Sequence, residues 1–136
     1  MKEKNSYKRL TFIARSDFTK DLRVISDLDK SIVQEVKDAI EMLIDPKQVE
    51  LFDKTYKVHR LHGFYAGNLE FHLRDTPKGF KPTEKNDVVV IFKRNLTSLV
   101  AVGIRIGSHN RLFHDEFKLK SKKEIRRLIN RFKQNK

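Results

Sequence analysis

Between Leu99 and Ile106 the apolar residues Val100, Val102, Ile104 and Ile106 alternate with Leu99, Ala101, Gly103 and Arg105, and Gly107 closes the run. A period of two sorts side chains onto the two faces of an extended chain, so this segment must sit in a sheet, with other strands and an apolar layer against it. The strand hands over directly to Ser108-His109-Asn110-Arg111-Leu112-Phe113. An imidazole, a cation and an aromatic ring thus emerge where a rigid element becomes a solvent-facing connection. That position suits a group that gains and loses protons near neutral pH.

The rest of the chain supplies partners for that strand. Leu10, Phe12 and Ala14 alternate with Thr11 and Ile13, predicting a first strand over about Lys8 to Ala14. Ser16 is placed to cap a helix on which Phe18, Leu22 and Ile25 recur at helical spacing. A second helix follows Asp27 to Asp29, its stripe made of Ile32, Val33, Val36, Ala39, Ile40, Leu43 and Ile44, and Pro46 stops it. Asp45 to Tyr56 reads as an irregular connection. Strands are predicted over Val58 to Leu61, Asn68 to Leu73 and Asp87 to Lys93. Gly63 and Gly67 bracket the first turn and Thr97-Ser98 lies near the last, so an antiparallel meander is the economical arrangement. The Pro-, Gly- and charge-rich run Arg74 to Asn86 is expected to be a long mobile loop. Ser121-Lys122-Lys123-Glu124 has the spacing of a capping box and opens a basic helix over about 121–134. Its stripe is Ile125, Leu128, Ile129 and Phe132; its other faces carry Lys122, Lys123, Arg126, Arg127 and Arg131, either as a solvated surface or as an RNA contact. Residues 1–136 are expected to form one domain, with a core over about 8–114.

Charge narrows the partners. Thirty Lys and Arg against eighteen Asp and Glu give a formal charge of +12, which makes a polyanion, nucleic acid or an acidic protein, the first partner to consider. No apolar run approaches the roughly 20 residues that span a bilayer, and the N-terminus lacks the apolar segment of a secretory signal, so a soluble cytoplasmic protein is expected. With no cysteine, disulfides, a thiolate nucleophile and Cys-ligated zinc are excluded. A His-only zinc site finds no pair at the close helical spacing such sites favour.

Chemistry then falls to histidine and its neighbours. His59, His72 and His109 lie at or near strand ends, Asp87 begins a strand, and neighbouring antiparallel strands can bring such positions onto one surface. RNA is cut without metal when its own 2′-hydroxyl attacks the adjacent phosphorus. This needs a base for the hydroxyl, an acid for the departing oxygen and a cation for the charged intermediate. His59, His109 and Arg105 fit those roles, imidazole having an ordinary pKa of about 6.5, and Phe113 can stack on a base. His72, between Phe71 and Leu73, is either a further member of this set or a core-edge histidine.

Four ordered blocks, His59-Arg60-Leu61-His62-Gly63, Glu70-Phe71-His72-Leu73, Asp87 to Lys93 and Arg105 to Phe113, give the chain a resemblance to the RelE superfamily of bacterial type II toxins, and within it to the YafQ-like mRNA interferases. With the preceding helix pair the resemblance covers roughly Lys8 to Phe113. It implies an α+β, RelE-like microbial ribonuclease-type fold, with two N-terminal helices on one face of a twisted, mainly antiparallel sheet and here an extra C-terminal helix. It implies ribosome-dependent cleavage of mRNA in the A site of the 70S ribosome, leaving a cyclic phosphate, without metal or small-molecule cofactor, and silencing by a cognate antitoxin, which the +12 charge predicts to be acidic. The family's functional positions fall on His59, His72, Asp87, His109 and Phe113, with Arg105 as the phosphate-binding cation. Lys93, Arg111, Lys122, Lys123 and Arg126 are the further candidates for RNA contact. The Arg74 to Asn86 loop is longer than the family's link before its Asp, which bears on a pairing of Asp87 with His72, and the basic helix lies beyond the family's short form. Two other functions remain in play: a ParE-like toxin that binds DNA gyrase without acid–base chemistry, and a non-catalytic basic RNA-binding module.

Overall fold

Val88 to Phe92 are five apolar residues in a row with no alternation, the pattern of a strand covered on both faces. In the computed structural model, which describes residues 8–113 and 126–127, all five are buried and lie in the middle strand of the sheet. The elements are β1 (Thr11–Ala14), α1 (Ser16–Leu28), α2 (Ile32–Leu43), a 3₁₀ turn (Pro46–Gln48), α3 (Val49–Thr55), β2 (His59–Arg60), a second 3₁₀ turn (Gly63–Tyr65), β3 (Leu69–Arg74), β4 (Val88–Asn95) and β5 (Val100–Gly107). Residues 109–113 are helical. The five strands form one sheet in the order β1-β5-β4-β3-β2. The last four make the expected antiparallel meander, and β1 joins parallel to β5, pairing Thr11 with Val100 and Ala14 with Gly103.

The fold is α+β, with apolar layers on both faces of the sheet. On one face Phe18 and Ile25 of α1, Ile32, Val36, Ala39 and Leu43 of α2 and Phe52 of α3 pack on Phe71, Val88, Val90 and Phe92. Phe52 meets Phe71 and Phe92 edge-on at 5.2 and 6.3 Å between ring centroids, an arrangement aromatic quadrupoles favour. On the other face Val89 and Ile91 lie with Leu61, Tyr65 and Leu112. A bulge between the Ile91–Arg105 and Phe92–Gly103 pairs shifts the parity of β5, so Ala101 and Ile106, five residues apart, both join the helix-side core. A Cβ on Gly103 would lie 2.7 Å from the Phe12 ring tip and 3.0 Å from Phe18; here glycine makes room for a T-shaped ring pair.

Several sequence expectations are corrected. Ser16 is the first helical residue rather than the cap; Arg15 occupies that place through its backbone. The first strand covers only Thr11–Ala14, and β2 is two residues long. The connection after Asp45 is helical: Asp45 Oδ1 accepts from the Lys47 amide, Pro46 starts the 3₁₀ turn, and burial of Phe52 holds α3 against the sheet. The Arg74 to Asn86 loop is tied down. Asn86 Oδ1 accepts from Thr76 Oγ1 and the Thr83 amide, and the Asn86 amide group donates to the Lys81 carbonyl. Arg74 donates to the Lys85 carbonyl while also binding Asp29, Glu35 and Ser31 of the helical layer. The predicted capping box at Ser121 and most of the basic helix lie outside the described residues.

Candidate active site

Antiparallel register places the histidines. His59 of β2 stands opposite Glu70 of β3, and His72, two residues on, shares the face of Glu70. Glu70 is opposite Ile91 and His72 opposite Val89, while Val89 pairs on its other side with Gly107 at the end of β5. The face opposite α1, α2 and α3 thus carries a row from β2 across to His109, the residue that opens the helical turn 109–113. Ser108 caps that turn, its Oγ accepting from the Arg111 amide at 3.0 Å.

The three imidazoles converge on one carboxylate oxygen. Glu70 is 1% exposed, and its Oε1 lies 3.3 Å from His59 Nε2, 3.2 Å from His72 Nε2 and 3.1 Å from His109 Nε2. Each ring is held from behind by its other nitrogen: His59 Nδ1 is 3.0 Å from the Lys57 carbonyl, His72 Nδ1 2.8 Å from Asp75 Oδ1, and His109 Nδ1 2.7 Å from Asp87 Oδ1. Asp87 Oδ2 also accepts from the His109 amide at 2.8 Å, fixing backbone and ring together. A buried carboxylate is costly unless its charge is answered, and Glu70 Oε2 has no hydrogen-bond partner among the described residues. Protonated imidazole supplies the answer. The Glu70 hydrogen bond foremost, helped by Asp87 and opposed by burial, pushes His109 up to about 9, so it is an imidazolium at neutral pH.

Aromatic rings extend the row. His59 and His72, and then His72 and His109, are each 5.4 Å apart between centroids. Phe113 stacks on His109 at 5.8 Å with 19° between planes, and Tyr65 meets Phe113 edge-on at 5.8 Å.

A family model for the bacterial toxin of type II toxin-antitoxin systems, YafQ, matches residues 10–114. The chain belongs to the YafQ toxin family. Among solved structures it is similar to YafQ from E. coli strain BL21(DE3), with 20% identity over 78% of this chain and 99% of that one and a TM-score of 0.57. It is also similar to the E. coli DinJ-YafQ toxin-antitoxin complex, with 20% identity, the same coverage and a TM-score of 0.51, and to a metal-bound toxin from Helicobacter pylori, with 25% identity over 76% and 98% of the two chains and a TM-score of 0.47. No curated protein matches the sequence.

In this YafQ-family toxin, His59, His72, Asp87, His109 and Phe113 are brought together as one group. Asp87 serves His109 and not His72, because the loop that follows β3 supplies Asp75 to His72 instead. Arg105 is not an open cation. Its Nε and Nη2 donate to Asp21 at 2.6 and 3.1 Å and its Nη1 to Tyr65 Oη at 3.4 Å. Arg111 Nη2 lies 3.6 Å from the same Asp21. Lys93 is exposed on β4, next after Ile91 on the site face. Arg126 is exposed, and Lys122 and Lys123 lie outside the described residues.

Glu70, Asp21, Lys57 and Asp75 received no role from the sequence. Glu70 had a usable signal: an acid two residues before a histidine on a strand shares its face. The same spacing brings metal-binding geometry that helical counting overlooks, since His59, Glu70 and His72 offer one ligand atom each within 4.8 Å of one another.

Proposed function

We propose that this toxin is an endoribonuclease that cuts mRNA by attack of the 2′-hydroxyl on the adjacent phosphorus. The supporting observation is the convergence of three imidazole Nε2 atoms, each ring fixed through Nδ1, on the buried Glu70 carboxylate. His109 is charged at neutral pH and is the general acid. His59 is the base: its Nδ1 lies 3.0 Å from the Lys57 carbonyl and its Nε2 3.3 Å from Glu70 Oε1, and the closer contact favours a neutral ring with its proton on Nδ1 and its lone pair on Nε2. The 2′-hydroxyl gives its proton to His59 as the O2′–P bond forms, and His109 protonates the departing 5′-oxygen as the P–O5′ bond breaks. The products are a 2′,3′-cyclic phosphate and a 5′-hydroxyl. His72 and Glu70 hold the two rings in register; Phe113 offers the stacking surface, and the Arg105–Asp21–Arg111 cluster beside Tyr65 the cationic wall.

Acting on mRNA in the ribosomal A site places the toxin in the cytoplasm. Among the described residues, no helix is long and apolar enough to cross a membrane. The E. coli relative is known in complex with DinJ, and by the same logic a cognate antitoxin, acidic to match a charge of +12, restrains this one.

The test is cleavage of a defined mRNA on purified 70S ribosomes, in the presence of a chelator, with the product ends mapped. The parent should leave cyclic-phosphate ends. His109→Gln should cut at least 10²-fold more slowly, within the 10²–10⁴ range of general acid–base groups. Cleavage by His109→Gln within about threefold of the parent refutes the acid assignment. Growth arrest with DNA damage and intact mRNA would instead make the protein a gyrase-directed toxin.

A further inference from the structure

Lys57 sits at a conformational oddity. It follows α3 with φ of 52°, in the left-handed region where glycine is usual. The Val58 amide reaches back to the Asp53 carbonyl and the Lys57 amide to that of Lys54, the pattern of a helix end in which the left-handed place is normally glycine. A lysine here costs backbone energy, yet both of its ends are used. Its carbonyl faces His59 Nδ1 at 3.0 Å, and its Nζ lies 2.8 Å from Asp75 Oδ2, whose other oxygen holds His72 Nδ1 at 2.8 Å.

We propose that Lys57 and Asp75 are positioning residues that set the tautomers of His59 and His72, the Lys57 carbonyl and the Lys57-anchored Asp75 carboxylate each holding Nδ1 as a donor so that both rings present Nε2 to the substrate. The inference deepens the acid–base reading above and rests on it for its consequence in catalysis, but not for its geometry. A carbonyl and an ionised carboxylate accept and do not donate, and the Nδ1 contacts of 3.0 and 2.8 Å are shorter than those of the same rings' Nε2 atoms with Glu70 Oε1, 3.3 and 3.2 Å, so in the neutral ring the proton is held on Nδ1. The alternative is close at hand. Glu70 Oε1 lies 3.2 Å from His72 Nε2, and without Asp75 a neutral His72 would move its proton to Nε2 and donate to Glu70. The groups facing His72 are Asp75 on Nδ1, Glu70 on Nε2 and the rings of His59 and His109; those facing Asp75 are Lys57 and His72. The Lys57 hydrogen bond also holds the Asp75 carboxyl below its usual range, keeping it ionised and accepting. Arg74, next to Asp75, anchors this end of the 74–86 loop to Asp29 and Glu35. The loop after β3 thus carries a carboxylate to the site.

Imidazole nitrogen shifts of the full-length protein, measured by ¹⁵N NMR at a pH where His72 is neutral, distinguish the tautomers directly. The parent should show Nδ1–H for both His59 and His72. Asp75→Asn should shift His72 toward Nε2–H and leave His59 unchanged, with kcat for RNA cleavage down about tenfold, a part of what a whole acid–base group contributes, and with an altered acid limb of its pH profile. Lys57→Gly relieves the left-handed strain, so it should raise Tm or leave it unchanged while still moving the His72 tautomer; a purely structural role for Lys57 predicts no such split. An unchanged His72 tautomer in Asp75→Asn overturns the proposal. Should the parent not cleave RNA at all, the acid–base reading fails, while the nitrogen shifts still decide the positioning.

Discussion

Glu70 joins three imidazoles, so its charge is the variable that reaches farthest at the scale of single residues. Glu70→Gln removes the largest cause of the raised His109 pKa, which should fall from about 9 toward its ordinary 6.5. If His109 is the acid, the basic limb of the pH–rate profile should move down with it, and NMR titration of the His109 ring reads the shift independently. Stability follows with a definite sign. A pKa raised on folding contributes stability that is fully present below the unfolded value of about 6.5 and is lost as pH rises through about 9. Urea unfolding of the parent should therefore show falling stability across that window, and Glu70→Gln should flatten the trend; an equal slope in both proteins would sink the coupling. Asp87 and Asp75 show why such pairings escape a linear reading. Both are acids near the same loop, and which histidine each one serves depends on how residues 74–86 fold back.

Among the elements, the long α2 stripe and the continuous β4 run were legible because many residues repeat one signal. The histidines followed, since strand alternation fixes which residues share a face. By contrast α3 was hidden: its buried anchor is Phe52 alone, beside a half-exposed Leu51, and one buried ring in seven residues has no period. The Arg105–Asp21 pair was equally unreadable, joining α1 to β5 across 84 positions. Its trace is an acid on the apolar face of α1, between Phe18 and Ile25, which demands a partner once buried. Close packing makes its own prediction. Gly103→Ala forces a Cβ against the rings of Phe12 and Phe18, and overpacking of this kind costs about 1–3 kcal/mol. Chemical denaturation should show the loss, and Phe12→Leu in the same chain should recover part of it; a neutral Gly103→Ala would mean the β1 edge gives way freely.

For the whole molecule, the RNA-cleaving reading predicts that the excess of positive charge sets the first encounter with the substrate. Each phosphate contact releases counterions, so log affinity for ribosomes should fall linearly with log salt. Changing Lys122, Lys123, Arg126 and Arg127 to Gln should weaken binding and flatten that slope if the basic tail touches rRNA; an unchanged slope makes it a solvated face. The sheet order carries a further consequence, in the timing of synthesis. Among the described strands β1 is the first to be synthesised and its partner β5 the last, and His109 follows β5. On the acid–base reading, a nascent chain that has already exposed His59 and His72 still lacks His109, the Asp87 clasp and the partner of β1. On that reading the site is complete only when almost all of the described length has been made, and a copy truncated before β5 should not cleave RNA.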